Sequence, residues 1–157
     1  MDSNSLDLVH RNLPLLFLQA RESIFARFRP ILNAADVTEQ QWRVIRALLE
    51  HGPLEPRQIC EICRLSSPSL AGMLLRMDDL NLVLRERLGH DQRRVRVSIT
   101  AKGRKLAAKL APGIEAAYRE LEDQIGAEFI ERLYLTLDEV IAKLGASSSD
   151  EDTSWKQ

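Results

Sequence analysis

The spacing of hydrophobic residues changes from a helical period to a strand period and back along the 157-residue chain. Apolar positions three and four residues apart predict a long first helix over about residues 5–32, which Pro30 should end or bend. An alternating pattern replaces this period between Val83 and Ile99, and the helical period then returns as far as Leu144. The pattern therefore predicts a mainly α fold (formally α+β) that contains one β-hairpin.

Local start and stop signals divide the chain before the hairpin into short helices. Thr38 followed by Gln41 predicts a capping box, and Gly52-Pro53 should end the helix that begins there. Glu55-Pro56 and Ser67-Pro68 each predict the N-cap and the first-turn proline of a further helix. These two helices, joined by residues 64–66, are predicted to form a helix-turn-helix, whose second helix enters the major groove of DNA. Its buried stripe should be Leu70, Met73, Leu74 and Met77.

The alternating segment predicts a hairpin with strands over residues 83–88 and 94–99 and turn residues at 89–92. A hairpin directly after a helix-turn-helix is a wing. Thr100 should cap the helix that follows, and Pro112-Gly113 is a place where that helix could kink. The predicted domains are an N-terminal dimerisation helix (1–36), a winged helix-turn-helix (37–104), C-terminal dimerisation helices (105–145) and a disordered tail (146–157).

The charge of the chain is concentrated where the wing is predicted. The whole chain has a net charge of −1, but residues 37–104 carry 12 basic and 8 acidic side chains. Residues 85–104 alone carry 7 basic residues against Glu86 and Asp91. Because the local field decides which ligand approaches a surface, this excess favours DNA as the partner. A mainly helical protein with an ordinary charged hairpin is the alternative, and it leaves the position of the excess unexplained.

The sequence also excludes several other classes of protein. No run of apolar residues is long enough to span a membrane, and the N-terminus lacks the features of a signal peptide. Two cysteines and no export signal predict a reducing, cytoplasmic location. No phosphate loop, nucleophile elbow or metal cluster is present, so we expect no catalysis, cofactor or metal.

The segment from Asp91 to Arg104 resembles the wing of the MarR family of winged-helix regulators. The shared features are an acid, an arginine two residues later (Arg93), a short strand, and then Thr100 and Gly103 in a Leu-Thr-x-x-Gly motif in which Ile99 replaces the leucine. Residues 13–22 and 38–43 are similar to the homoprotocatechuate-degradation branch of that family. The resemblance covers about residues 13–144. It implies a homodimer that binds a pseudo-palindromic operator and usually represses, and the branch implies aromatic acids as effectors.

Two groups of residues are the candidate DNA contacts. Ser67, Ser69, Gly72 and Arg76 lie away from the buried stripe of the second helix, so they should face the major groove. At the tip of the wing, Arg93 and Arg94 should enter the minor groove. The resemblance implies that Asp91 pairs with the tip arginine and holds it in place. The alternatives are a helix cap with a solvated face and an ordinary turn.

A second candidate site would hold a small aromatic carboxylate. Such a ligand needs a cation, one or two hydrogen-bond donors and an apolar slot. Trp42, Arg43 or Arg46, and Ser23 with Gln19 could supply these between the first helix and the winged domain, and His10 and Arg11 could reach the same cleft from a partner subunit. The alternative is that Trp42 fills the core and that the arginines form surface ion pairs.

Amphipathic segments at both ends of the chain predict an obligate homodimer, because a small winged domain cannot cover both. We interpret the sequence as a ligand-responsive transcriptional repressor, and two alternatives stay open. One is a redox-sensing regulator of the same family that uses Cys60 and Cys63, which we otherwise expect to be structural thiols. The other is a helical dimeric interaction protein without an effector.

Overall fold

The computed structural model describes residues 7–145. The predicted disordered tail and the first two residues of the predicted first helix lie outside this range. Within it, the chain forms seven helices and two strands, one helix more than predicted, and the other elements follow the predicted order. Two compact units are present, one up to Glu115 and the other from Ala116 onward. No helix among residues 7–145 combines the length and the apolar character that crossing a membrane requires.

The predicted single helix over residues 5–32 is wrong at its start and interrupted near its end. Helix α1 (Leu13–Phe25) begins only after Asn12, whose side chain accepts a hydrogen bond of 3.1 Å from the backbone N–H of Leu15. The chain then turns before a separate five-residue helix, α2 (Arg29–Asn33). Pro30 lies in the first turn of α2, where a helix needs no N–H donor, so this proline begins a helix rather than ending one.

The helix-turn-helix consists of α4 (Pro56–Cys63) and α5 (Ser67–Asp79) and packs on α3 (Glu39–His51). The predicted capping box of α3 is present: Thr38 Oγ1 accepts from the Gln41 N–H at 3.1 Å, and Gln41 Oε1 accepts from the Thr38 N–H at 3.0 Å. The start predicted for α5 is wrong by one residue, because Ser66 is the N-cap and accepts from the Ser69 N–H at 3.3 Å.

The wing is an antiparallel hairpin of β1 (Val83–Leu88) and β2 (Asp91–Ile99). The predicted turn over residues 89–92 is too long, since only Gly89 and His90 separate the two strands. Leu54 adds a short third pairing on the other side of β2, with two backbone hydrogen bonds to Val97 of 2.7 and 2.9 Å. The wing is thereby fixed to the segment that leads into the helix-turn-helix.

The core of the first unit lies between the helix-turn-helix, α3 and the base of the wing. The stripe predicted for α5 is buried as expected. The largest fully buried side chains are Leu32, Ile45, Leu48, Ile59, Leu70, Met77, Val44, Val83 and Val97. These side chains hold α5 and the wing together, and the polar faces of both remain exposed.

Helix α6 (Ala101–Ile125) follows the wing directly, and α7 (Ala127–Gly145) follows α6 after Gly126, which has a φ of 92°. The predicted cap is present, with Thr100 Oγ1 accepting from the Gly103 N–H at 3.0 Å. Pro112 lies inside α6 without ending it. The second unit buries Ala117, Leu121 and Ile130. The division into dimerisation and DNA-binding parts stays a prediction.

Candidate nucleic-acid interface

The exposed face of α5 carries the residues predicted to read DNA. Ser67, Ser69 and Arg76 are exposed, and Gly72 between them is half-buried. A side chain at Gly72 would have free space, because the nearest atom to its Cβ position is Arg76 Nη1 at 3.8 Å. This face is therefore polar and leaves room for a close neighbour at Gly72, which suits direct contact with base edges.

A groove of about 460 Å³ runs along this face between α3, the turn and α5. It brings Ser69 and Arg76 together with polar residues that the sequence analysis did not select, notably Gln40 at the start of α3 and Arg64 in the turn. The backbone of Arg64 adopts the left-handed helical conformation, with a φ of 52°, directly after the last residue of α4. The turn position of Arg64 was visible in the sequence, but the approach of Gln40 was not.

The side chain of Arg43 lines this groove, whereas the side chain of its neighbour in sequence, Trp42, does not. The structure therefore does not bring these two predicted effector residues together. Arg43 Nη1 donates a hydrogen bond of 2.6 Å to the carbonyl oxygen of Cys63, and the Cys63 thiol contacts the Arg43 carbonyl oxygen at 3.5 Å. These two contacts tie α3 to the end of α4. Arg43 follows Trp42 by one residue, or about 100° of helix rotation, which places the two at different borders of the buried face.

The wing arginines differ in what they contact. The Asp91 carboxylate accepts a hydrogen bond of 3.0 Å from the backbone N–H of Arg93, so it shapes the tip through the main chain. The Arg93 side chain is exposed, and no ion pair joins it to another described residue. Arg94, by contrast, donates a hydrogen bond of 2.7 Å from Nε to Glu55 Oε1, and its Nη2 lies 2.6 Å from the same oxygen in an ion pair. Arg85 is similarly paired with Asp78 at 3.0 Å.

A separate open cleft of about 480 Å³ lies between α3 and the first half of α6. Four charged residues line this cleft: Arg46, Glu50, Arg104 and Glu115. The rest of its lining is apolar or aromatic and consists of Trp42, Leu49, Ala107, Ala108, Ala111 and Ile114. Arg46 donates two hydrogen bonds to Glu50 Oε1, at 2.7 and 3.0 Å. Arg104 has no acidic partner among the described residues. In the sequence, Arg104 stands out only as part of the basic charge of the wing segment.

The other predicted effector residues do not line this cleft. The Ser23 hydroxyl donates to the Gln19 carbonyl oxygen at 2.9 Å, within exposed helix α1. His10 and Arg11 are exposed in the non-helical segment before α1. Of the seven predicted effector residues, the cleft therefore contains Trp42 and Arg46.

The two cysteines lie on one helix in different environments. Cys63 is buried, and this burial raises the pKa of its thiol, an effect that the nearby Arg43 partly opposes. Cys60 is half-buried, with its sulfur 3.9 Å from the Ser67 hydroxyl. In the described part of the chain, no three His, Cys, Asp or Glu side chains lie close enough together to hold a metal ion.

A helix-turn-helix with an exposed polar recognition face, followed at once by a cationic hairpin, defines a winged-helix DNA-binding domain. The MarR family model matches residues 35–94. The chain is 38% identical to the homoprotocatechuate degradative operon repressor of Escherichia coli, over 91% of this chain and 96% of that protein. It is 36% identical to the HTH-type transcriptional regulator FarR of Neisseria gonorrhoeae, over 86% and 90% of the two chains.

Among solved structures, the chain resembles NadR in complex with 4-hydroxyphenylacetate, with a TM-score of 0.75 and 36% identity. That match covers 89% of this chain and 97% of NadR. The chain belongs to the MarR family of transcription regulators. The predicted fold class, the family and the homoprotocatechuate branch are confirmed.

Proposed function

We propose that this regulator is a repressor that binds a pseudo-palindromic operator as a homodimer and releases it when a small aromatic carboxylate binds. The observation that carries the DNA-binding part is the exposed polar face of α5, followed along the chain by a wing whose exposed Arg93 has no ion pair among the described residues. Two relatives support the finer function. One is named as a repressor of a homoprotocatechuate operon, and the other was solved with 4-hydroxyphenylacetate.

The two DNA-reading elements divide the work in this proposal. Ser67, Ser69 and Arg76 address base edges in the major groove, and Gly72 permits the close approach. Arg93 enters the minor groove, where the negative potential is strongest, with Asp91 fixing its main chain. Contacts of the first kind set sequence preference, and contacts of the second kind add affinity for most sequences.

Exposed apolar side chains at both ends of the chain support the homodimer. Helix α1 is rich in apolar residues but buries none of them: Leu13 is 60% exposed and Leu18 is 53% exposed. Helix α7 leaves Leu135 65% and Leu144 68% exposed. Apolar surface of this extent on two helices is stabilised when a second copy covers it.

The cleft at Trp42 fits an aromatic acid in size and chemistry. Its volume of about 480 Å³ is in the range of small-molecule sites. In this proposal the ring packs on Trp42 and the alanines of α6, and Arg104 binds the carboxylate. Arg46 contributes to the extent that Glu50 releases it. Ser23, Gln19, His10 and Arg11 lie elsewhere in a single chain, so any role for them depends on the second subunit.

Repression and its relief require only a difference in ligand affinity between two conformations. A ligand that binds the released conformation about 100-fold more tightly shifts the equilibrium by about 2.7 kcal/mol per site. Two sites in a dimer therefore lower the affinity for the operator by several kcal/mol, which is enough to empty it.

The DNA-binding part is tested by selecting duplexes from a random library with the purified protein. We expect a pseudo-palindromic sequence to be enriched. Arg93→Ala should then weaken binding to all duplexes and reduce the salt dependence, because one cation per wing is lost from the minor groove, where it displaces counterions. Arg76→Ala should instead change the selected sequence. Arg29→Ala, in α2 and paired with Glu22, is the matched arginine control. Selection without any enriched sequence would contradict the proposal.

The redox alternative has less support from the same geometry. The thiolate is the reactive form of cysteine, and the raised pKa of Cys63 keeps that thiol protonated at neutral pH. The thiol is also buried against α3.

A further inference from the structure

One ion pair in the winged domain connects the two elements that read DNA. Glu55 is the N-cap of α4, the first helix of the helix-turn-helix, and Arg94 lies near the tip of the wing. The Arg94 Nε donates a hydrogen bond of 2.7 Å to Glu55 Oε1, and the ion pair brings Arg94 Nη2 within 2.6 Å of the same oxygen. The side chain of Glu55 is 30% exposed and that of Arg94 60% exposed, so the contact is at the surface but partly sheltered.

Arg94 lies where the register of the hairpin is irregular. Arg87 lies opposite Val95, but the next residue, Leu88, lies opposite Asp91, so Arg93 and Arg94 fall within the register shift. Consecutive side chains of a strand point to opposite faces, and an irregularity re-aims them locally. The two neighbouring arginines accordingly differ: Arg94 reaches Glu55, while no ion pair joins Arg93 to another described residue.

Resting on the DNA-binding function proposed above, we propose that Glu55 withholds Arg94 from the DNA backbone and is thereby a specificity-determining residue. A guanidinium that binds a phosphate adds affinity for every sequence equally. Because the Glu55 carboxylate holds the Arg94 guanidinium in a hydrogen-bonded ion pair, the wing contacts DNA through Arg93. The base contacts of α5 therefore make a larger share of the total binding free energy.

The test replaces Glu55→Gln, which removes the charge and keeps a side chain of the same shape at the start of α4. Helix α4 keeps the hydrogen bond of 2.9 Å from the Glu55 N–H to Gln58 Oε1, because this cap contact uses only the backbone of residue 55. Glu86→Gln is the matched control: it removes one negative charge from the wing at a residue that has no ion pair in the described part of the chain. Glu55→Gln combined with Arg94→Ala removes the released arginine.

The measurement is fluorescence anisotropy of a labelled random-sequence duplex, titrated with each dimeric variant at KCl concentrations between about 50 and 200 mM. Glu55→Gln should make the slope of log K against log salt steeper by about 0.9 per released arginine, or about 1.8 per dimer. Glu86→Gln should change the slope much less, and the double variant should restore the original slope. Affinity for the selected operator relative to random DNA should fall in Glu55→Gln alone.

The NMR signal of the Arg94 Nε–H, assigned by its loss in Arg94→Ala, reports the ion pair without DNA. We expect this signal to be protected from exchange in the original protein and unprotected in Glu55→Gln. If the pair is seen by NMR but the salt slope of Glu55→Gln equals that of Glu86→Gln, or is shallower than the original slope, the inference is wrong and the DNA-binding function stands. If the original protein does not bind DNA at any salt concentration, the proposed function itself fails.

Discussion

The two arginines of the Trp42 cleft differ in the cost of binding an anion. Arg46 must first give up its two hydrogen bonds to Glu50, whereas Arg104 has no acidic partner among the described residues. Hydrogen bonds to charged groups contribute about 1.5–3 kcal/mol of binding free energy. A carboxylate ligand gains that free energy in full from Arg104, because no existing ion pair to a described residue has to be broken there. Arg104 is therefore the residue on which carboxylate affinity should depend most.

We expect Arg104→Ala to weaken binding of a small aromatic acid by about tenfold or more, and Arg46→Ala to weaken it less. The measurement is a titration with 4-hydroxyphenylacetate that follows Trp42 fluorescence after Trp155→Phe has removed the second emitter. Lys105→Ala, one residue along α6 and outside this cleft, is the matched control. Equal losses in Arg104→Ala and Lys105→Ala would show a general charge effect instead of a specific contact.

The buried thiol of Cys63 makes a prediction about pH. Burial raises its pKa above that of an ordinary thiol, so the neutral form is favoured in the folded state. The stabilisation that follows from this shift is fully present below the pKa of the unfolded thiol and is lost as the pH rises through the folded value. In Cys60→Ser, which leaves Cys63 as the single cysteine, a thiol reagent should react slowly at neutral pH and faster only at strongly alkaline pH. The same variant unfolded in guanidinium is the control, and equal rates in both states would contradict the predicted burial.

At the scale of elements, the junction between the wing and α6 depends on one glycine. A Cβ at Gly103 would overlap the Leu82 carbonyl oxygen and would lie 2.7 Å from Ile99 Cγ1. The neighbouring backbone atom cannot move without shifting the start of β1. This close approach is the physical reason for the glycine in the motif that carries the family resemblance.

Gly103→Ala should therefore lower the free energy of unfolding by about 1–3 kcal/mol, as overpacking does. Gly72→Ala is the control, because its Cβ would have free space in the middle of α5 and should raise stability by about 0.5–1 kcal/mol. Urea denaturation followed by circular dichroism measures both. A Gly103→Ala protein as stable as the original would mean that α6 and the wing do not pack as described.

The sequence predicted elements well where a few neighbouring residues decide the structure. The capping box at Thr38 and the start of α4 at Glu55-Pro56 depend on bonds across three or four residues, so the pattern contains the information. Pro30 was misinterpreted because a proline that ends one helix and a proline that begins the next look alike in sequence. The signal that marked the true start of α1, Asn12 followed by Pro14, was present but not used.

The candidate sites were less predictable because they depend on contacts between distant residues. Arg94 reaches Glu55, and Arg43 reaches Cys63, across 39 and 20 positions of the chain. No local pattern contains such pairs. Arg104 was overlooked for the same reason, since its place beside Trp42 follows from the packing of α6 on α3.

At the scale of the whole molecule, the exposed apolar faces of α1 and α7 predict the oligomeric state. Two copies of the 17.9 kDa chain should be found by light scattering at micromolar concentration. Leu18→Asp together with Leu135→Asp should shift the protein toward the monomer, because each change places a charge in surface that a partner would cover. Leu84→Asp, at a similarly exposed leucine in β1, is the control. A monomer in the original protein would contradict the dimer.

A dimer also fixes the geometry of the operator. The two recognition helices should be spaced about 34 Å apart, so the half-sites of the selected duplex should repeat after one turn of DNA. A single asymmetric half-site would indicate that each subunit binds alone.

The most direct test of the whole account measures the affinity for the selected operator at increasing concentrations of aromatic acids, including 4-hydroxyphenylacetate, benzoate and pyridine carboxylates. The account predicts that at least one acid weakens operator binding by tenfold or more, and that operator DNA weakens binding of that acid by the same factor, as thermodynamic linkage requires. An operator affinity that stays constant while the acids saturate the Trp42 signal, or acids that change neither signal, would contradict ligand-controlled repression.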